Sequence, residues 1–330
     1  MNITTIKKAD NAAISRAAEL LKNSEIVAIP TETVYGLAAN ALNPTAIEKI
    51  FTAKGRPHDN PLIVHVADLE MARGLGLEIP ELAERLAERF WAGALTMILR
   101  RAKITGEQCS SLQRGIIPLE VSCGLDTVAV RAPAHPVALE LIKACGFPLA
   151  APSANLSGSP SPTKAEHVFA DLNGRVPLII DGGECQVGLE STVVAIECRG
   201  EQCSPAIRIL RPGAVTAEQL REFAEVIIDD AVCNVGAVTN RPLSPGTAHK
   251  HYSPKAQVIA VEGSVAGFGE FVIENPEAQT LFAKLREFDD LGADKIFIRL
   301  PKPEGIGLAL YNRIIRAAEF NVIKVENEKF

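Results

Sequence analysis

Apolar runs that follow one another directly, broken only in places by capped helical stretches, constrain the fold of this sequence most. EIVAIP (25–30), PLIVHV (61–66), TMILRR (96–101), TVAVR (127–131), PLAAP (148–152), VPLIID (176–181), STVVAI (191–196) and AIRIL (206–210) each read as a short buried strand. Some are separated by helices with legible ends. Asp10 caps a helix through about Asn23, whose apolar stripe is Ala13, Ala17, Leu20 and Leu21. Residues 43–55 open on Asn43 and Pro44 and stop at Gly55. Residues 79–91 form a strongly amphipathic helix, and 135–146 a helix that ends in glycine. An all-parallel sheet needs a long crossover between neighbouring strands, usually a helix. Here strands adjoin strands, so the pattern predicts an α/β chain of α+β character, an open mixed sheet with flanking helices.

TAEQLREFAEVI (216–227) reads as one further helix. Residues 229–255 carry Pro242, Pro245, Gly246 and Pro254 and read as a linker. AQVIAVEG, NPEAQTLFAKLREFDD, DKIFIRLP and GIGLALYNRIIRAAEF then alternate strand and helix, which predicts a small parallel, Rossmann-like sheet. The chain thus divides into a main domain over 1–215, a helix and linker over 216–255, and a small α/β domain over 256–330.

Bulk composition excludes several classes. At 330 residues and 47% apolar, the chain has room for two cores and is not disordered. Residues 1–215 carry 21 basic against 23 acidic side chains, and 216–330 carry 13 against 17, so neither part has the basic excess of a dedicated nucleic-acid module. The seven cysteines, at 109, 123, 145, 185, 198, 203 and 233, are odd in number and contain no CxxC, which fits a reducing cytoplasm rather than a disulfide framework. MNITTIKKAD lacks an apolar signal-like core, and no apolar run is long enough to span a membrane.

KGRPHDNPL (54–62) carries the chemistry. Lys54 and Arg56 flank one glycine in a loop stiffened by Pro57 and Pro61. A point charge beside a planar fork suits a fixed grip on phosphate or carboxylate oxygens. PTETVYGLAAN (30–40) places Thr31, Glu32, Thr33 and Tyr35 at a strand end, where hydroxyls either bind a polar ligand or cap a following helix. TVAVRAP ends a strand in Arg131, where α/β sheets place ligands. PSANLSGSPSPT (152–163) is rich in small donors, fit for a phosphate nest or for a plain linker. GLESTVVAI (188–196) and LRPGAV (210–215) add Ser191, Thr192 and Arg211 beside buried strands. His65 is the one histidine inside a strand run, where a satisfied core histidine is the default. P-loop, GxGxxG-after-strand, HExxH and GxSxG patterns are absent. The residues that remain, Lys54, Arg56, Asn60, Arg131, Ser153, Asn155 and Arg211, offer positive charge and neutral donors without a nucleophile. That set suits nucleotidyl or phosphoryl transfer by positioning and charge neutralisation.

PTETVYGL, KGRPHDNPLIVHV, TVAVRAPAHP, PSANLSG and GLESTVV, in this order over about residues 7–215, resemble the YrdC-like threonylcarbamoyl-AMP synthase family. SPGTAHKHYSP (244–254) and the C-terminal α/β unit resemble its two-domain type, although Thr247, Ala248 and His249 depart from the usual linker run. The resemblance implies an open twisted sheet with a large concave cavity. It implies that L-threonine, bicarbonate and ATP, with Mg²⁺, yield threonylcarbamoyl-adenylate and pyrophosphate. A transferase complex then passes the group to tRNA, beside the anticodon. The resemblance makes Lys54 and Arg56 catalytic and puts Thr33, His65, Arg131, Ser153 and Ser191 on the threonine side. It puts Arg56, Asn60, Thr127, Asn155, Thr163, Arg211 and the lid residue Tyr252 on the ATP side. The rivals are an RNA-binding module and a carbamoyltransferase of the same fold; the latter would bring zinc-finger and acylphosphatase-like regions that nothing here resembles.

Overall fold

The computed structural model describes residues 3–102, 116–199, 204–232 and 252–325. Its larger sheet is built from β1 (Thr5–Lys8), β2 (Val27–Ile29), β3 (Gly36–Asn40), β4 (Ile63–His65), β5 (Leu77–Glu78), β6 (Leu95–Arg101), β7 (Thr127–Arg131), β8 (Leu149–Ala150), β9 (Leu178–Asp181), β10 (Thr192–Arg199), β11 (Ser204–Arg211) and β12 (Glu225–Ile228). They lie in the order β1-β9-β2-β3-β8-β4-β7-β6-β10-β11-β12, with β5 beside β6. Parallel pairs such as β4/β7 and β6/β10 stand beside antiparallel ones such as β2/β3 and β6/β7. The sheet is therefore mixed, as adjoining strand runs require.

Helices cover both faces. Val27 and Ile29 of β2 pack with Ile14, Leu21, Leu141 and Ile142, from α1 (Asn11–Lys22) and α6 (Pro136–Cys145). Ala28, between them, joins the opposite cluster with Ile47 and Ile50 of α2 (Pro44–Lys54). The two-residue period of the strand thus divides the core into two layers. The helix ends follow the sequence: the Asp10 side chain accepts from Ala13 N at 2.7 Å, Asn43 from Thr45 N at 2.9 Å, and Gly55 closes α2 at φ 60°. That turn delivers Arg56 to the sheet's edge loops.

Two segments depart from the sequence reading. GLAAN is a central strand, β3, so PTETVY is a hairpin turn and not a helix cap. Its small residues suit the position, since a Cβ on Gly36 would come 3.3 Å from the Cβ of Ala151. In 216–227 the helix lasts only one turn, α8 (Ala217–Leu220). Its capping box, Thr216 with Gln219, is formed, but Glu225–Ile228 then pairs in parallel with β11, and Phe223 packs on Phe90 at 5.7 Å. The sheet edge outcompetes local helix propensity there. The expected linker lies largely outside the described residues, as do 233–251.

The C-terminal part forms a second sheet, β14-β15-β13-β16, from β13 (Gln257–Glu262), β14 (Val272–Ile273), β15 (Lys295–Arg299) and β16 (Val322–Lys324). Every pair in it is parallel. Helices α9 (Leu281–Asp290) and α10 (Ile306–Ala317) pack on it. Its core takes in Val34 and Leu189 from loops of the larger sheet. Gly188 permits that approach: it sits at φ +77°, and a Cβ there would lie 2.4 Å from the Cα of Gln279. Among the described residues no helix is long and apolar enough to cross a membrane.

Candidate active site

Loops at the strand ends surround a largely polar cavity open to solvent on one side. Arg56, His65, Arg131, Asn155, Ser191 and Arg211 are among its lining residues, and Thr33, Ser153 and Tyr252 line it as well. Ten or more residues of chain separate most of these motifs, and the sheet brings them together. The β4/β7 register sets His65 opposite Arg131. An isolated bridge joins Gly36 to Ser153 and closes the hairpin against the PSAN loop.

Each arginine is held in a fixed pose. Arg56 donates through Nε to Asn60 O at 2.9 Å, and through Nη2 to Asn60 Oδ1 and Pro61 O at 2.7 Å each. Arg131 donates from Nη1 to Thr33 Oγ1 at 2.9 Å, from Nε to Gly93 O at 3.0 Å, and from Nη2 to the Glu32 carboxylate. Arg211 reaches Ser191 O at 3.1 Å and Ser191 Oγ at 3.2 Å, and Ser191 Oγ meets Thr96 Oγ1 at 2.7 Å. Burial lowers the Arg56 pKa to about 10, with repulsion from Arg211 adding to it, so the group stays charged at neutral pH. Gathered cations of this kind leave a site that only an anion relieves.

His65 Nδ1 lies 3.2 Å from Ile63 O. A carbonyl only accepts, so Nδ1 carries the proton and Nε2 is the acceptor. Burial, and then Arg131, push this histidine down to about 3, so it is neutral at physiological pH. Burial likewise takes His167 to about 4. Between the ordinary pKa near 6.5 and these values the unfolded chain binds protons that the folded one refuses, so stability falls with pH across that window. Melting temperatures measured from pH 7 to pH 4 should decline steadily, and His65→Gln should flatten the lower part of the slope.

Lys54 departs from its expected place in the anion grip. It is 2% exposed and does not line the cavity. Its Nζ donates to Ser153 O and, at 2.6 Å, to Asn155 O, while its own carbonyl accepts from Ser157 N at 3.0 Å. It therefore staples the PSAN loop from behind. Burial, and then Arg56, hold its pKa well below the ordinary lysine value. Asn60 is buried as the clasp of Arg56. Thr163 is buried behind the wall, its Oγ1 3.4 Å from His167 Nδ1. Thr127 begins β7, at the end opposite Arg131, and does not line the cavity either.

Thr31, Ser159 and Ser161, noted in the sequence only as members of donor-rich stretches, also line the cavity, as does Glu190, which escaped the sequence reading. Asn155 offers the clearest opening for a ligand. Its Nδ2 donates to Leu156 O at 2.7 Å and Ser159 O at 2.9 Å, which fixes the amide orientation, and its buried Oδ1 is unpartnered. A buried acceptor left unmet costs about 1–3 kcal/mol, which a ligand donor recovers.

An open mixed sheet on which three arginines converge, Arg56 from a helix end and Arg131 and Arg211 from strand ends, defines an anion-binding α/β fold of the YrdC type. The family model Sua5_yciO_yrdC, described as telomere recombination, matches residues 19–213, and the model described as "Threonylcarbamoyl-AMP synthase, C-terminal domain" matches 215–270 and 274–319. Threonylcarbamoyl-AMP synthase of Pyrococcus abyssi is 40% identical over 94% of this chain and 95% of its own length; that of Bacillus subtilis is 39% identical over 98% of both. The crystal structure of P. abyssi Sua5 complexed with L-threonine superposes with a TM-score of 0.84 at 39% identity, covering 99% of this chain and all of that one. The chain belongs to the threonylcarbamoyl-AMP synthase family, in its two-domain form.

Proposed function

We propose that this cavity joins L-threonine, bicarbonate and ATP into threonylcarbamoyl-AMP, with release of pyrophosphate, for modification of tRNA beside the anticodon. The chain is then a nucleotidyltransferase acting before a threonylcarbamoyl-transfer step in the cytoplasm. The observation that carries this reading is the convergence of Arg56, Arg131 and Arg211 on one cavity with a neutral His65 and an unpartnered Asn155 Oδ1. No lining side chain is needed as a nucleophile.

The threonine amine adds to carbon dioxide drawn from bicarbonate, losing a proton and giving a carbamate. A carbamate oxygen then attacks the α-phosphorus of ATP, and the bond to the β,γ-phosphates breaks. Arg131, aligned by Thr33 and Glu32, suits the threonine carboxylate, with His65 Nε2 as a nearby acceptor. Ser153 and Ser191 complete that end. Arg56 and Arg211 neutralise charge that builds as pyrophosphate departs. Lys54 acts on them through the PSAN loop. Asn60 takes part in this reading through its hold on Arg56, and Thr163 from behind the wall.

Mg²⁺ enters this reading with the triphosphate. The carboxylates beside the cavity, Glu32 and Glu190, are each engaged by an arginine, so Mg²⁺ would arrive with the triphosphate and would help neutralise its charge. Pyrophosphate release should require ATP and bicarbonate together with L-threonine, among all amino acids supplied in turn. Release independent of the amino acid would remove this function.

A further inference from the structure

Glu190 is the one carboxylate among the described lining residues, and it stands in a cavity built for anions. Its company explains how it is tolerated. Arg313 of α10, fully buried and 123 residues away in sequence, donates through Nε to Glu190 Oε2 at 2.8 Å. Ser161 Oγ donates to Oε1. The same arginine donates through Nη2 to Pro212 O at 3.0 Å and through Nη1 to Asn312 Oδ1 at 2.8 Å. Its guanidinium lies 5.2 Å from the ring centroid of Tyr252, and that ring stacks on Phe282 of α9 at 5.3 Å. So the C-terminal unit backs the Tyr252 wall of the cavity and supplies the counter-charge for its acid.

Arg211 is the alternative partner for Glu190: both line the cavity, and Arg211 donates to the backbone and hydroxyl oxygens of Ser191, the residue next to Glu190. Burial works against the ionised acid, but Arg313 and then Arg211 hold it below the usual carboxylate range. With Arg313 gone, the buried carboxylate would turn to Arg211 and neutralise it.

We propose that Arg313 is a positioning residue that keeps Glu190 off Arg211, so that the C-terminal unit sets the affinity of the cavity for the triphosphate. This rests on the ATP reading above. The test uses the full-length chain and measures equilibrium ATP binding by calorimetry together with KM values for ATP and L-threonine. Arg313→Met should weaken ATP binding and raise its KM at least about tenfold, a loss of the size of one charged hydrogen bond, while KM for threonine moves less than about threefold. The double variant R313M/E190Q, lacking the competing acid, should recover ATP affinity to within about threefold of the parent. Where R313M does not fold, Arg313→Gln, neutral but still able to hydrogen-bond Glu190, takes its place with a smaller loss of ATP affinity, about three- to fivefold, reversed in the same way by E190Q. ATP binding unchanged in the single variant, or no recovery in the double, would reduce Arg313 to a packing role and overturn the proposal. Failure of the parent protein itself to bind ATP would instead overturn the functional reading.

Discussion

Arg56→Ala should abolish threonine-dependent pyrophosphate release, lowering kcat/KM for ATP by about 10³-fold, while leaving the fold nearly as stable as before. The first half follows from its place. Removing one fixed cation from a developing phosphate charge costs on the order of 10²–10⁵ in rate, and Arg56 is held rigid by Asn60 and Pro61. The second half follows from two opposed effects of about 1–3 kcal/mol each. The variant loses three hydrogen bonds but also sheds a buried charge that Arg211 repels. Steady-state kinetics and a thermal melt check both halves. A large drop in melting temperature with modest kinetic loss would assign Arg56 to structure.

Lys54→Ala should fail differently, losing activity and stability together. Its ammonium holds two carbonyls of the PSAN loop, and its backbone holds Ser157. Removing it leaves those carbonyls unmet and a void behind Asn155, a loss of about 2–4 kcal/mol after allowing for the relieved burial of charge. Both KM values should rise, since Ser153 and Asn155 sit on that loop. Denaturant unfolding gives the stability and initial rates give the KM values. Loss of turnover at full stability would return Lys54 to direct contact with phosphate.

The sequence revealed what local chemistry dictates. Asp10, Asn43 and Gly55 marked helix ends because capping is a short-range matter, and β-branched runs such as PLIVHV marked strands. GLAAN hid a central strand because its small residues lack β propensity, and only the close approach of Ala151 makes them necessary. REFAEVI looked helical because the strand that draws it into the sheet edge, β11, lies outside the local sequence pattern. Within the site, Arg56, Arg131, Ser153, Asn155 and Arg211 were legible from motifs at strand ends. Lys54 was found, but nothing in KGR says whether a lysine faces the ligand or the loop behind it. Glu190 and Arg313 were not legible as a pair. Arg313 lies on an amphipathic helix and looks like a solvated arginine until α10 docks against the cavity.

Val34 and Leu189 belong to the core of the C-terminal sheet while their neighbours Thr33 and Glu190 line the cavity. Occupancy of the cavity and docking of the two bodies are therefore linked equilibria. Whatever free energy the ligands gain by tightening Thr33 or Glu190 is shared with the interface, and the interface returns it in the same amount. The second sheet is in this sense a thermodynamic partner of the substrates, and removing it would uncover Val34, Leu189 and the back of Tyr252.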